Sequence, residues 1–401
     1  MVELQSVGFE SELSLFKYDT LEQLPESHRD LDEAARSRRI AAAREALGDR
    51  VIVLGHNYQR REIVEHADFV GDSYELSKRA AESDADYVVF AGVTFMAESA
   101  DIITDDDQTV ILPSMEASCP MAGMAEAVQV DSAWETLVEE SGGRDIVPVT
   151  YMNSYADLKA FCASHGGLIC TSSNAADAFE WAFERGDAVL FLPDKHLGRN
   201  TADDLGIDGV VEWDPWAGDV TESTGAADEL DPDIPELGDA EVILWDGYCQ
   251  VHERFRVDHV EGAQADGAKV VAHPECRPSV VAAADEVGST SHICDVVANA
   301  DPGETWAIGT EVHLARHLAR WHPEVDVRPL CGDACMDCNA MRQVDPNYLT
   351  WVLEELAAGR EPNVVEVAPE EKELAAVALD RMHHSLRRRC STASTYYWAA
   401  S

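Results

Sequence analysis

Short runs of β-branched and other apolar residues alternate along this chain with longer stretches whose apolar positions recur every three or four residues. The first pattern fits strands and the second fits amphipathic helices. The runs predict strands at Val51–Leu54, Tyr87–Ala91, Thr109–Leu112, Ile146–Thr150, Leu168–Cys170, Ala188–Leu192, Val242–Trp245, Lys269–Ala272, Thr305–Ile308 and Val325–Pro329. Helices are predicted at Asp30–Leu47, Ser73–Glu82, Ala156–Ser164, Ala175–Arg185 and Val312–Trp321. Unbroken apolar runs set between helices imply parallel strands covered on both faces, hence an α/β fold.

A weak internal repeat lies over this pattern. Three strands end in polar clusters: His56-Asn57-Tyr58, Tyr151-Met152-Asn153 and His273-Pro274-Glu275. After a helix, each is followed by a second strand ending in small polar residues. The second strands run into Gly92-Val-Thr94, Ser172-Ser173-Asn174 and Gly288-Ser289-Thr290. A third strand follows in each case, at Thr109–Pro113, Ala188–Pro193 and Thr305 onward. The repeat predicts three α/β units with functional groups at the carboxyl ends of strands, where open parallel sheets bind ligands.

The expected division is an acidic leader and helix at 1–45, units at 46–125, 126–250 and 251–345, and C-terminal helices at 346–401 that pack back on the first unit. An acidic, Pro- and Gly-rich insertion near 214–239 lacks apolar periodicity and reads as solvated surface. A length of 401 residues allows roughly two to four domains.

Composition narrows the partners. Acidic residues outnumber basic ones by 76 to 30, giving a formal charge of −46, so nucleic acid is not an expected partner. The hydrophobic fraction of 46% is ordinary for a folded protein, which argues against disorder. The charge reads as a halophile-type carboxylate coat. No secretory signal and no bilayer-length apolar stretch stand out, and the cytoplasm is the expected location. Ten cysteines in such a chain point to metal or redox chemistry more than to a disulfide framework.

The strand-end clusters supply His56, Tyr58, Ser73, Tyr151, Asn153, Ser172, His273, Glu275, Ser289 and Thr290. Together they offer imidazole, hydroxyl and amide donors to a small polyanion, with Glu275 as the one obvious carboxylate base. Taken singly, Ser73 or Thr290 reads as a helix cap.

One cysteine-bearing loop also ends each unit: Cys119 in the first, Cys249 in the second, and the run Cys331-Gly-Asp-Ala-Cys335-Met-Asp-Cys338 in the third. One thiolate from each could meet at a shared cluster. Cys162, Cys170, Cys276, Cys294 and Cys390 read as small buried hydrophobes. Taken alone, the spacing C-x3-C-x2-C matches the cluster motif of radical S-adenosylmethionine enzymes. That motif belongs after an early barrel strand, and it would leave Cys119 and Cys249 unexplained. A structural zinc or electron-transfer centre is a third reading, under which the His, Tyr and Glu strand ends would have no task.

A dozen motifs in order give a resemblance over nearly the whole chain, from about Asp30 to about His384. Among them are Gly55-His-Asn-Tyr-Gln59, Phe69-Val-Gly-Asp-Ser73, Gly92-Val-Thr-Phe-Met-Ala-Glu98, Cys119-Pro-Met-Ala122, Thr150-Tyr-Met-Asn-Ser154 and Cys170-Thr-Ser-Ser-Asn-Ala175. Further along come Leu192-Pro-Asp-Lys-His-Leu-Gly198, Cys249-Gln-Val-His252, Ala272-His-Pro-Glu-Cys276, Gly288-Ser-Thr290, Ile308-Gly-Thr-Glu311 and Cys338-Asn-Ala-Met341. The sequence resembles the quinolinate synthase A protein family.

The resemblance implies three α/β/α units about a pseudo-threefold axis, each with a short parallel sheet, and an active site where they meet. It implies a [4Fe-4S] cluster held by only three cysteines, here Cys119, Cys249 and Cys338. Cys338 is chosen within its run because Met341 completes the family's Cys-x-x-Met pattern. Neighbours such as Cys335 form a redox pair at C-x2-C spacing in the family, whereas Cys331 and Cys335 stand at C-x3-C.

The implied reaction condenses iminosuccinate with dihydroxyacetone phosphate to quinolinate, phosphate and water, with the open iron as a Lewis acid. Coupling to an iminosuccinate-producing aspartate oxidase or dehydrogenase is expected. His56, Ser73, Ser172, Ser289 and Thr290 would hold carboxylates. Glu275 would be the base with His273 beside it, Tyr58 and Tyr151 the phenol donors, and Asn153 an orienting amide.

Overall fold

Three separate sheets carry the fold in a computed structural model that describes residues 20–216, 219–221, 236–335 and 337–387. The first sheet contains β1 (Val51–His56), β2 (Phe69–Gly71), β3 (Tyr87–Ala91) and β4 (Thr109–Ile111). The second contains β5 (Ile146–Tyr151), β6 (Leu168–Cys170), β7 (Ala188–Leu192), β8 (Val210–Asp214), β9 (Asp219–Thr221) and β10 (Val242–Trp245). The third contains β11 (Lys269–Ala272), β12 (Glu286–Val287), β13 (Thr305–Gly309) and β14 (Asp326–Pro329).

The strand orders are β2-β1-β3-β4, β6-β5-β7-β10-β8-β9 and β12-β11-β13-β14. The same four-strand order therefore recurs, and the second sheet extends it by β8 and the antiparallel β9. Central strands β1, β3, β5, β7 and β10 are buried along their full length, as parallel strands with helices on both faces must be. Each fully buried Val, Ile or Leu there contributes about 1.5–3 kcal/mol. Gly198 shows how tightly the layers close: a Cβ there would stand 2.4 Å from Leu244 and 2.6 Å from Phe191.

Register brings the functional ends level. His56 pairs with Gly71, Tyr151 with Cys170, and Ala272 with Val287. The first and second strands of each sheet thus finish side by side, and their following loops share one edge.

This register corrects the repeat read from the sequence. In the first unit, Val88–Ala91 is the third strand, and the true second strand is β2, which leads into Ser73. β2 is a three-residue edge strand with an exposed Phe69, so it lacks the apolar run that marks a buried strand.

The C-terminal helices divide between units. Pro346–Ala357 packs on Glu33–Leu47, and its Leu349, Val352 and Leu353 join the first unit's core. Pro369–Arg387 touches that unit at Thr94–Ile103, where Lys372 lies 3.4 Å from Asp101, and packs more extensively on the second. This last helix lies on Ala156–Ser164 and β6, with Ala375, Ala378, Leu379 and Met382 in the second unit's core. Arg381 fixes it by donating to Ala163 O (3.0 Å) and Gly167 O (2.7 Å). Between the helices, Leu112 N–H donates to Asn363 O and Val365 N–H to Val110 O, which covers the β4 edge.

Much of the leader (1–19), the middle of the acidic insertion (222–235) and Cys390 lie outside the described residues. Among the described residues no helix is long and apolar enough to cross a membrane.

Candidate active site

Every residue proposed from the sequence lines one cavity between the three sheets. The first unit gives His56, Tyr58, Ser73 and Cys119, and the second gives Tyr151, Asn153, Ser172 and Cys249. His273, Glu275, Ser289, Thr290 and Cys338 complete it from the third. Its volume is about 110 Å³, well below the ~300 Å³ at which pockets begin to take drug-sized ligands. The space is in the range of a small acid or triose.

Two of the three strand-end clusters share a local device. The backbone N–H of Tyr58 donates to His56 Nδ1 (3.1 Å), and that of Glu275 donates to His273 Nδ1 (3.3 Å). With Nδ1 accepting, each neutral imidazole carries its proton on Nε2. Burial keeps both neutral: it lowers His56 to about 4, against the pull of Asp72 and Glu275, and His273 to about 3. Each ring is therefore a fixed N–H donor at neutral pH rather than a cation.

The serines stand where helices begin. Ser73 opens Ser73–Ala81, Ser172 precedes Ala175–Phe183, and Ser289 and Thr290 open Thr290–Ala298. Three helix N-termini thus line one cavity, and their dipoles favour anions. Capping falls to neighbours: Asp72 caps the first helix and Ser289 the third, which leaves the Ser73 and Thr290 hydroxyls free of that duty.

Glu275 is buried with no lysine or arginine beside it in the cavity lining. Burial alone would raise its pKa, but His252, His273 and a hydrogen bond from Tyr151 outweigh it and hold the carboxyl down to about 2. His252 Nδ1 lies 2.6 Å from Glu275 Oε2, and His273 stacks on His252 with centroids 4.7 Å apart. Asn153 Nδ2 reaches the other carboxylate oxygen at 3.5 Å.

From His252 the contacts run on. Its Nε2 is 2.9 Å from Thr310 Oγ1, which is 2.6 Å from the Tyr58 hydroxyl. Tyr58, Thr310, His252 and Glu275 form a continuous chain that ends at the cavity wall. His252 and Thr310 were not singled out from the sequence. Their signals were present in Cys249-Gln-Val-His252 and Ile308-Gly-Thr310, but nothing local distinguishes them from a strand-end histidine and threonine.

The three thiols are free, and each sits just before a short helical turn: Ala122–Met124, His252–Arg254 and Asn339–Arg342. Backbone N–H groups of those turns reach the sulfurs, from Met121 and Ala122 to Cys119, from His252 to Cys249, and from Ala340 and Met341 to Cys338. Such N–H···S bonds favour thiolate and tune iron–sulfur centres. Burial nevertheless pushes Cys119 up to about 11, Cys338 up to about 12, and Cys249 well above its ordinary value.

Carboxyls pin two of these loops. Asp194 accepts from Cys249 N–H (3.2 Å) and Glu311 from Cys338 N–H (3.1 Å), each at the end of the third strand of its sheet. In the first unit Thr94 plays that part by donating to Ala117 O.

Within the run 331–338, Cys331 and Cys335 are joined in a disulfide, which leaves Cys338 alone for the cavity. That pairing removes two of the three thiolates that a self-contained C-x3-C-x2-C cluster requires. Cys249, His252 and Glu275 also offer ligand atoms that lie within 4.8 Å of one another, so the cavity contains a candidate metal-coordinating pocket.

The family model for the Quinolinate synthetase A protein matches residues 38–384. This chain belongs to the quinolinate synthase family. It is 69% identical over 382 residues to the quinolinate synthase of Haloarcula marismortui, covering 94% of this chain and 99% of the relative. The quinolinate synthase of Halobacterium salinarum matches to the same extent. That of Acidobacterium capsulatum is 48% identical over 361 residues, covering 88% of this chain and 93% of the relative. Quinolinate synthase activity follows from the family, and the halophilic relatives explain the carboxylate coat.

Proposed function

We propose that Cys119, Cys249 and Cys338 hold a [4Fe-4S] cluster with one open iron, and that the cavity condenses iminosuccinate with dihydroxyacetone phosphate. The observation that carries this reading is the convergence of one free thiol per unit on the cavity that also holds the buried Glu275. Bound there, the cluster would supply a Lewis acid facing substrate oxygen or nitrogen. The thiol set is preferred over Cys249, His252 and Glu275 as ligands because His252 already bridges Thr310 and Glu275.

The chain's own groups divide the remaining work. His56 and His273 present Nε2–H donors, and the three helix N-termini with Ser73, Ser172, Ser289 and Thr290 hold carboxylate and phosphoryl oxygens. Tyr151 and Asn153 orient Glu275, which balances charge on His252.

Proton removal follows the chain of contacts. With His252 Nδ1 2.6 Å from Glu275 Oε2, His252 Nε2 accepts from Thr310, whose oxygen accepts from Tyr58. As the Tyr58 oxygen takes a proton from substrate carbon, its own proton passes to Thr310, and that of Thr310 passes to His252. Burial pushes the Tyr58 pKa well above its ordinary value, so a concerted transfer suits it better than a free tyrosinate.

Anaerobic reconstitution with iron and sulfide in high KCl, then an assay for quinolinate from oxaloacetate, ammonia and dihydroxyacetone phosphate, tests the reading. Glu275→Gln should keep the cluster's absorption while quinolinate formation collapses. A reconstituted wild-type enzyme with full absorption and no product would sink it.

A further inference from the structure

A second pocket lies outside the active cavity, and its chemistry opposes that of the rest of the chain. Arg60, Arg61, Arg316, Arg320 and Arg342 line it, in a protein with 30 basic residues against 76 acidic ones. Its volume, about 530 Å³, exceeds that of the active cavity. The arginines come from three segments: the turn after β1, the helix Val312–Trp321, and the helix Asn339–Arg342.

A salt-bridge network is the plain alternative, and part of the cluster is one. Arg61 and Arg320 share Glu65, at 3.7 and 2.5 Å, Arg61 also meets Glu33 at 3.4 Å, and Arg60 stands 3.6 Å from Asp345 and donates to Arg342 O at 2.6 Å. The remainder is not neutralised. Only Glu62 and Asp337 among the lining residues are acidic. Arg342 meets Asp337 at 3.9 Å, the outer limit of an ion pair, and Arg316 is exposed with no acidic partner among the described residues. With Arg60, Arg61 and Arg320 engaged by Asp345, Glu33 and Glu65, the spare guanidinium N–H donors of the pocket are those of Arg316 and Arg342.

The pocket also backs directly onto the active site. Tyr58 faces the cavity while Arg60 and Arg61 line the pocket; Cys338 and Met341 face the cavity while Asp337 and Arg342 line the pocket. Glu311 bridges the two sides, accepting from Cys338 N–H (3.1 Å) and standing 2.9 Å from Nδ1 of His313, a pocket residue.

We propose that this pocket is a second anion site, which binds a phosphoryl group as inorganic phosphate or a phosphate monoester. One fork satisfies a carboxylate, whose two oxygens are coplanar, whereas the forks of Arg316 and Arg342, arriving from two helices, suit the tetrahedral fan of phosphoryl oxygens. In molar salt the Debye length is about 3 Å, so long-range steering fails and only direct bidentate contacts hold an anion. The occupant then rests one layer of residues behind Cys338.

Arginine footprinting on the full chain in KCl tests this without relying on activity. Phenylglyoxal labelling of each arginine is followed by peptide mass mapping, with Arg38, exposed and not among the residues that line the pocket, as the internal control. Inorganic phosphate and glycerol 3-phosphate should each slow labelling of Arg316 and Arg342 at least threefold relative to Arg38. Protection by both probes assigns the shared phosphoryl group, and protection by the ester alone assigns the monoester as the source. Ser73→Ala, which alters the active cavity, should leave the protection intact, while Arg342→Ala should abolish it at Arg316.

Equal protection by malate would overturn the phosphoryl assignment, and so would unchanged labelling of Arg316. Labelling of Arg316 that falls with rising protein concentration, before any anion is added, would replace the proposal with an interface between copies of this chain.

Discussion

His252 Nδ1 stands 2.6 Å from Glu275 Oε2, with both side chains buried and the opposite edge of the imidazole on Thr310. The pair joins the second unit's cysteine loop to the third unit's strand end, so it couples two sheets as well as two charges.

Breaking this chain of contacts should therefore cost turnover more than binding. His252→Ala should lower kcat by about 10²–10⁴-fold, the usual worth of a positioned proton-transfer group, with a smaller change in KM. Thr310→Val should act in the same direction, and Thr310→Ser, which restores the hydroxyl, should recover most of the rate. Steady-state kinetics of the three variants check the point, and a rise in KM alone would count against a proton path.

The thiols can be separated by spectroscopy. Cys119→Ala, Cys249→Ala and Cys338→Ala should each abolish or severely reduce the visible absorption of the reconstituted centre. Cys335→Ser breaks the disulfide to Cys331 and should leave that absorption in place. Loss of the centre in Cys335→Ser together with its retention in Cys249→Ala would return the metal to the 331–338 run.

Stability should fall on the acid side of neutrality. The unfolded chain protonates its histidines near pH 6.5, whereas burial holds His56 at about 4 and His273 at about 3 in the fold. Between those values the unfolded state binds more protons, so lowering the pH favours it. Glu275, held to about 2, adds a further loss as pH falls below the ordinary carboxylate range. Thermal melts at fixed KCl should show the decline beginning near pH 6.5, and His273→Gln should flatten it.

Salt should act in the opposite sense to its effect on most surface ion pairs. A net charge of −46 repels itself across the molecule, and the Debye length grows from about 3 Å at 1 M to about 10 Å at 0.1 M. Melting temperature should drop steadily as KCl is lowered through that range. A flat profile would mean that the carboxylates contribute little self-repulsion.

Strands such as Tyr87–Ala91 and Ala188–Leu192 were legible because burial on both faces writes an unbroken apolar run. Cys119, Cys249 and Cys338 drew attention in the sequence because a cysteine-bearing loop follows the fourth strand in the shared order of each sheet. β2 and β12 carry too few buried residues to leave such a run. His252 and Thr310 were hidden for a different reason: each acts through a residue distant in sequence, and no local spacing records the pairing. The course of Pro369–Arg387 was equally obscure, since an amphipathic helix declares which of its faces is buried but not which sheet receives it.

The distribution of the thiols bears on how the enzyme matures. Each hangs beyond the fourth strand in the shared order of a different sheet, from Cys119 to Cys338. A growing or half-folded chain can present at most a pair, so a centre that needs all three can be loaded only after the sheets have docked. Metal held there would serve as a rivet as well as a reagent, and its loss would slacken the joint between three subassemblies at once.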